Sequence, residues 1–394
     1  MTRYLIRQSL FSLVKLFLFA TLMFFFIQIL MPGDWVDQYS LFMSRAEQEA
    51  LRAELGLNLP LPQRYLEWLR GLVTFDLGHS LTGEPMTEIL AQVIPPTLFV
   101  FVIGTVIAFL FGFWLGERTA WRGTGFLSSL TTLGGITLFT SFPPWLAYLF
   151  AYLLSGQQDF YVMGERGGLR LATFRNLDIE VWRQTDLSPS TVVFRMFLTL
   201  VLVAVLVLAL NYLLQRLSKR RIPVLLLLLL IGAGTIGSWV LLGMQAMALD
   251  ILKMSWLAIL TYTVLSFGET MLIMQSSMTE VLKEEYVTTA HAKGLPASQV
   301  RERHAVRNAL LPVLSRLVIS MPYLITGVVI IESAVGWPGM GMAMWNALYW
   351  QNMPVVMVMV LFVGILSLAA RLVLDVLIAY LDPRIRYEQQ ANAA

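Results

Sequence analysis

The sequence contains no cysteine in 394 residues and only three histidines. Disulfides, thiolate metal sites and cysteine nucleophiles are therefore excluded together. His291 and His304 fall in one polar segment, and no His-Glu-x-x-His or comparable donor cluster is present, so neither a metal site nor an intramembrane hydrolase has candidate ligands. Charge is scarce as well: 13% of residues are charged against 57% hydrophobic, with a mean hydropathy of +0.69. That balance lies outside the soluble range and describes a polytopic membrane protein. The net charge of +3 sits in short loops between apolar runs, as positive-inside topology requires. No aromatic-basic module accompanies it, which argues against nucleic acid as a partner. A Gly-x-x-x-x-Gly-Lys-Ser/Thr loop is missing too, so the chain lacks the cradle that holds nucleotide phosphates.

What is present is a series of apolar runs. Taking about 20 residues per crossing, eight spans are expected, near 9–31, 94–117, 126–154, 191–214, 222–247, 255–278, 309–332 and 353–381. The first run is too long for a signal peptide core and lacks a small-x-small cleavage site, so it reads as a retained span with Lys15 snorkelling to the interface. Arg3, Arg7, Arg118, Arg122, the cluster Arg216 to Arg221, and Arg384 and Arg386 all fall on one side if the N-terminus is cytosolic. Both termini are then inside. Residues 32–93 form an outer segment with nine acidic and four basic residues. Ser44 followed by Glu47 marks a capping box for a helix to Leu55, and a second helix is expected over Tyr65 to Val73.

The polar segment Glu285-Tyr-Val-Thr-Thr-Ala-His-Ala-Lys-Gly294-Leu-Pro296 predicts a short helix stopped at Lys293 by Gly294, with Pro296 opening another. Tyr286-Val287, Ala292-Lys293-Gly294-Leu295 and Arg307-Asn308-Ala309-Leu310-Leu311-Pro312 resemble the coupling loop of ABC importer permeases of the dipeptide/oligopeptide/nickel type. Glu54 to Pro62, Asp76 to Leu81, Trp337-Pro-Gly339 and Tyr380 to Arg386 resemble other blocks of the same family, in the same order. The resemblance is to the first permease of the pair. It implies an all-α polytopic fold with a type I-like transmembrane domain, six core helices plus two inserted ones. The corresponding division is 1–31, an N-terminal transmembrane helix; 32–93, extracytoplasmic; 94–155, core helices two and three; 156–252, an insertion; 253–381, core helices with a coupling loop at 280–308; and 382–394, a cytosolic tail. It further implies a bacterial or archaeal inner membrane location, a homologous second permease, two ATP-binding subunits that hold ATP and Mg, and an extracytoplasmic solute-binding protein. Glu285, Tyr286, Ala290, Lys293, Gly294, Leu295, Arg303 and Arg307 would make the ATPase contact, with Ala290 and Gly294 small enough for close approach.

Beside that resemblance stand several polar residues in apolar surroundings. Glu269 lies inside the sixth run and is expected to face a cavity or a polar partner, because intramembrane charge is costly in hydrocarbon. Arg371 and Asp375 are four apart and can pair on one helix face. Glu332, Trp337, Pro338 and Gly339 mark a turn that is either a tight interfacial loop or part of an external gate in reach of the binding protein. Gly104, Ala108, Gly112 and Gly116 form a smooth stripe suited to close helix packing. No residue is assigned to catalysis or to metal. The expected function is a permease subunit for peptides or related small solutes driven by ATP hydrolysed elsewhere, with oligosaccharides, nickel complexes and a stand-alone ion-coupled transporter resting on Glu269 as alternatives.

Overall fold

The computed structural model describes residues 2–30, 36, 44–54, 56–123, 125–154, 179–183, 185, 187–218 and 222–381. Its elements are helical: α1 (Thr2–Leu30), α2 (Arg45–Glu54), α3 (Leu61–Thr74), α4 (Met86–Arg122), α5 (Phe126–Phe139), α6 (Pro143–Leu154), α7 (Ile179–Trp182), α8 (Pro189–Ser218), α9 (Val224–Leu241), α10 (Gln245–Val281), α11 (Glu285–Ala292), α12 (Ala297–Gln299), a π-helical segment (Val300–Ala305), α13 (Val306–Val335), α14 (Met340–Tyr349) and α15 (Met353–Leu381). Among the described residues six helices, α1, α4, α8, α10, α13 and α15, are long and apolar enough to cross a bilayer.

Two of the eight expected spans take another form. The run at 126–154 is not one rod: α5 and α6 meet at 107° around Ser141 and Phe142. Pro143 and Pro144 cannot continue a helix from α5, since neither has an N–H to donate. The run at 222–247 ends early as the 18-residue α9, and Gly243, at φ +68, turns the chain into α10.

The centre of the fold is the α4–α10–α13 group. The small stripe on α4 packs there: a Cβ on Gly104 would strike the Tyr262 ring, and Cβ atoms on Gly112 and Gly116 would meet the α10 backbone at Phe267 and Met271. Close approach replaces side-chain interdigitation along this seam. The outer end of α8 joins the same core through Val192, Val193 and Met196. Trp239 of α9 donates to Thr199 of α8 at 2.9 Å. The remaining faces of α1, α8 and α9 expose Leu, Val and Phe in long rows, as a hydrocarbon solvent permits.

On the outer side, α2 begins with the expected reciprocal cap. The Ser44 N–H donates to Glu47 Oε2 at 2.7 Å and the Glu47 N–H to Ser44 Oγ at 3.3 Å. Those bonds, the Ser44 backbone first, hold the exposed Glu47 carboxyl below the usual carboxylate range. The second outer helix, α3, begins four residues before its expected start and lays Tyr65, Trp68 and Leu72 against Phe24 of α1 and Leu361 of α15.

Candidate coupling loop and polar membrane cavity

Between α10 and α13 the chain leaves the helical bundle and builds a small platform. Val287 and Ala290 of α11 pack on Val300, with Val281, Leu282 and Leu295 around them. Glu285, Tyr286, Thr288, Thr289, His291 and Lys293 remain exposed. Gly294, at φ +72, reverses the chain; its N–H donates to the His291 carbonyl at 2.9 Å and Leu295 N–H reaches the Ala290 carbonyl at 3.4 Å. The stop therefore falls where the sequence places it. Each of the two small residues also has a reason within the chain itself. Ala290 is 4% exposed and faces the loop's own core, while a Cβ on Gly294 would meet nothing within 4 Å. One is small to fit inside the platform, and the other is glycine because its backbone is left-handed.

The platform is tied to the membrane helices at two points. Arg301, in the π-helical segment, pairs with Glu117 of α4 at 3.0 Å, and its guanidinium lies 5.9 Å from the Trp121 ring centre. Asn308 of α13 donates to the Tyr286 hydroxyl at 2.8 Å and to the His304 carbonyl at 3.1 Å. Arg303 and Arg307 are exposed beside it. The platform is thus in contact with both α4 and α13.

Within the membrane layer, Glu269 of α10 accepts on Oε1 from Arg316 Nε at 3.0 Å and from Ser320 Oγ at 2.7 Å, both on α13. Glu269 lies 12 residues before Val281 and Arg316 10 residues after Val306. At about 1.5 Å per residue that is about 15–18 Å from the platform ends of the two helices. The pair borders a cavity of ≈ 470 Å³ open on one side, walled by Phe139 and Pro143 at the α5–α6 break, by Tyr262 and Leu265, and by Ile319, Tyr323 and Ile331 of α13.

At the outer end of α13 the chain turns inward instead of outward. Glu332 and Trp337 are 0% exposed. Thr97 Oγ1 lies 3.0 Å from Glu332 Oε2, which also receives the Gly341 N–H at 2.9 Å. Met340 N–H donates to Thr97 at 2.8 Å, and Trp337 Nε1 donates to the Pro96 carbonyl at 3.1 Å. A Cβ on Gly339 would strike the Glu332 carboxylate. Of the four residues expected at an external gate or binding-protein contact, only Pro338 is partly exposed. Glu332, Trp337 and Gly339 are therefore enclosed against α4 and α14, and of the four Pro338 alone reaches the surface of this chain. Arg371 sits partly buried on α15, and the Asp375 side chain lies outside the described residues, as do 382–394 and most of the 156–189 stretch.

With this geometry in view, residues 187–387 match the family described as binding-protein-dependent transport system inner membrane component. Residues 1–84 match the N-terminal part of the corresponding membrane component. The chain belongs to this family. It is a multi-pass inner membrane permease component of a system that depends on a binding protein, and not a catalytic subunit. Over 398 residues it is 31% identical to a protein of Brucella suis biovar 1 that carries a provisional peptide-permease name, covering 98% of this chain and 99% of the relative. It is 26% identical over 393 residues to the oligopeptide transport system permease protein AppB of Bacillus subtilis (98% and 100% covered). To the dipeptide transport system permease protein DppB of Alkalihalophilus pseudofirmus it is 25% identical over 394 residues (98% and 100%).

The longer match spans α8 to α15 and so contains the permease's platform and the α10–α13 side of its cavity. Two groups that build these sites escape a reading of the sequence alone: Arg301 and Arg316. Arg316 had a signal, since it is a charge inside an apolar run opposite in sign to Glu269. Arg301 sits among other polar residues and had none, while Asn308 stands in the Arg307 to Pro312 block although its bond to Tyr286 was not legible there.

Proposed function

We propose that this permease carries peptides, as half of a pathway completed by a homologous second permease. Two ATPase subunits holding ATP and Mg drive it from the cytosol, and an extracytoplasmic binding protein delivers the solute. Both termini are cytosolic. The observation that carries the reading is the platform: a helix with its own core and an exposed outer face, braced to α4 by Arg301 and to α13 by Asn308. A surface helix seated on an ATPase would move with it as a rigid body. The bracing transmits that movement to α13, which borders the cavity, and to α4, which packs on α10, shifting the permease pair between inward-open and outward-open states. Glu269, on which a stand-alone ion-coupled transporter would depend, is ion-paired to Arg316.

The chain has no cysteine, so single cysteines test the reading cleanly. Cysteine at Thr289 should cross-link to an ATPase subunit in the assembled transporter and lose that cross-link when the ATPases are stripped. Cysteine at Ser218 and Ser298 should resist an impermeant thiol reagent in intact cells, whereas cysteine at Ser44 should react. Labelling of Ser298 from outside would overturn both the orientation and the docking role.

A further inference from the structure

The polar groups around the cavity have a pattern that lipid does not explain. Arg316, Ile319, Tyr323, Thr326 and Ile330 recur every three or four residues on α13 and are all exposed, so they form one face. A charged group at this depth faces protein or water, not hydrocarbon. That face is therefore turned to water or to a partner subunit, and its Arg316, Ile319 and Tyr323 line the cavity.

Both members of the ion pair line that space and have unused capacity. Arg316 is held through Nε alone, and its two terminal nitrogens have no partner among the described residues. Both bonds to Glu269 land on Oε1, and Oε2 accepts none among the described residues. A guanidinium fixed by one edge presents a planar two-donor fork that matches a carboxylate. A carboxylate alone, however, would sum with Glu269 and Arg316 to one net negative charge in weakly polar surroundings, which is costly to hold. A solute that also carries an ammonium cancels that charge, and Glu269 Oε2 is placed to accept from it. The cavity volume of ≈ 470 Å³ falls within the range of small-molecule sites, about 300–1,000 Å³.

We propose that this cavity binds a zwitterionic solute, Arg316 taking its carboxylate and Glu269 its ammonium, with Phe139, Ile319 and Leu324 against its apolar part. This rests on the transport reading above and names the chemistry the permease itself selects. A brace between α10 and α13 is the competing account of the same pair.

The test uses the complete transporter in proteoliposomes with its binding protein and ATP. Uptake of labelled Ala-Phe is compared with uptake of N-acetyl-Ala-Phe-amide in wild type, in Arg316→Gln, and in Arg316→Gln combined with Glu269→Gln. The binding protein is common to all three, so a change in the ratio of the two uptakes belongs to the permease. The proposal expects that ratio to fall by about tenfold, the factor that corresponds to about 1.4 kcal/mol, in both the single and the double variant. A brace expects the neutral, mutually hydrogen-bonded Gln pair to restore the wild-type ratio, and that result would overturn the proposal. Because Arg316→Gln can fail to assemble, a diazirine-bearing dipeptide is also photolysed on the wild-type transporter. Label on the fragment containing residues 316–327, displaced by excess Ala-Phe and not by the blocked peptide, supports the site; label elsewhere overturns it. Absence of uptake of either probe by wild type would instead overturn the peptide reading, and this inference with it.

Discussion

The two ends of α13 solve opposite problems. At the N-terminal end the chain emerges into a platform whose outward face is polar and exposed, joined to the bundle by an ion pair, a hydrogen bond and the apolar cluster that Ala305 shares with Ala120, Met274 and Met278. At the outer end, Glu332 and Trp337 are fully enclosed and bonded to α4 and α14. Buried polar groups are expensive unless satisfied, and with Oε2 bonded twice and Oε1 without a partner among the described residues, the Glu332 network is intolerant of change. Exposed contacts are individually weak and replaceable by water. One helix is thus enclosed at its C-terminal end and carries, beyond its N-terminal end, a platform with an exposed polar face, the asymmetry that the proposed ATPase drive would use.

Breaking the anchor should have the largest effect. Gly341→Val would drive a side chain into the Val329 carbonyl, and Glu332→Ala would strand the Thr97 and Gly341 donors in a new void. Each should cost on the order of 3–5 kcal/mol by overpacking or by an unsatisfied buried donor plus cavity. The expected readout is a lower melting temperature in detergent and a poor yield of the monodisperse chain. Wild-type melting in both variants would show that the outer end is not an anchor.

Next is the platform's own core. Ala290→Asp puts a carboxylate against Val287, Val300 and Leu295, at a cost of about 2–4 kcal/mol if it stays buried. The small core should open locally while the membrane helices hold, so hydrogen exchange should quicken across 285–300 with the global melt little changed. ATPase subunits should dissociate. Exchange that quickens equally in α4 and α10 would mean the platform is continuous with the bundle and the comparison is drawn in the wrong place.

How much of this could be read from the sequence differs between the two ends for a physical reason. The capping box at Ser44, the helix stop at Gly294 and the α4 glycine stripe are local signals, set by residues within a turn or two of one another, and all three appear in the structure. Hydropathy gave the apolar runs but not their direction, so the α5–α6 break went unseen although Pro143-Pro144 marked it. The small size of Ala290 was legible and its orientation was not, because which face of an eight-residue helix is buried depends on Val300, ten residues away. The Glu269–Arg316 pair spans 47 positions, beyond any periodicity.

Gly294 sharpens the comparison at lower cost. Its φ of +72 with no neighbour near its Cβ position makes the penalty one of backbone alone, about 1–2 kcal/mol for an ordinary L-residue. Asn tolerates this region better than Ala, and Ala better than a β-branched residue. The expected order of ATPase retention is Gly, Asn, Ala, Val. A variant order that follows side-chain volume instead, with Asn worse than Ala, would point to a close-packed contact with the ATPase at this position.

The smallest effect separates the two ends most directly, because it removes one hydroxyl from each. Tyr286→Phe deletes the acceptor of the Asn308 amide on an exposed surface, where water can take its place. The expected loss is about 0.5 kcal/mol, the low end for a single hydrogen bond. Thr97→Val deletes a hydroxyl bonded to both Glu332 and the Met340 N–H in the sealed outer network, where no water can follow, and about 2–3 kcal/mol is expected. Both changes are nearly isosteric, so packing contributes little to the difference. Thermal melts of the two variants under one condition should show Thr97→Val shifted several-fold further than Tyr286→Phe. Equal shifts would mean that the Tyr286–Asn308 bond is as sealed as the outer network once the chain is assembled, and the cytosolic end would then be an anchor too.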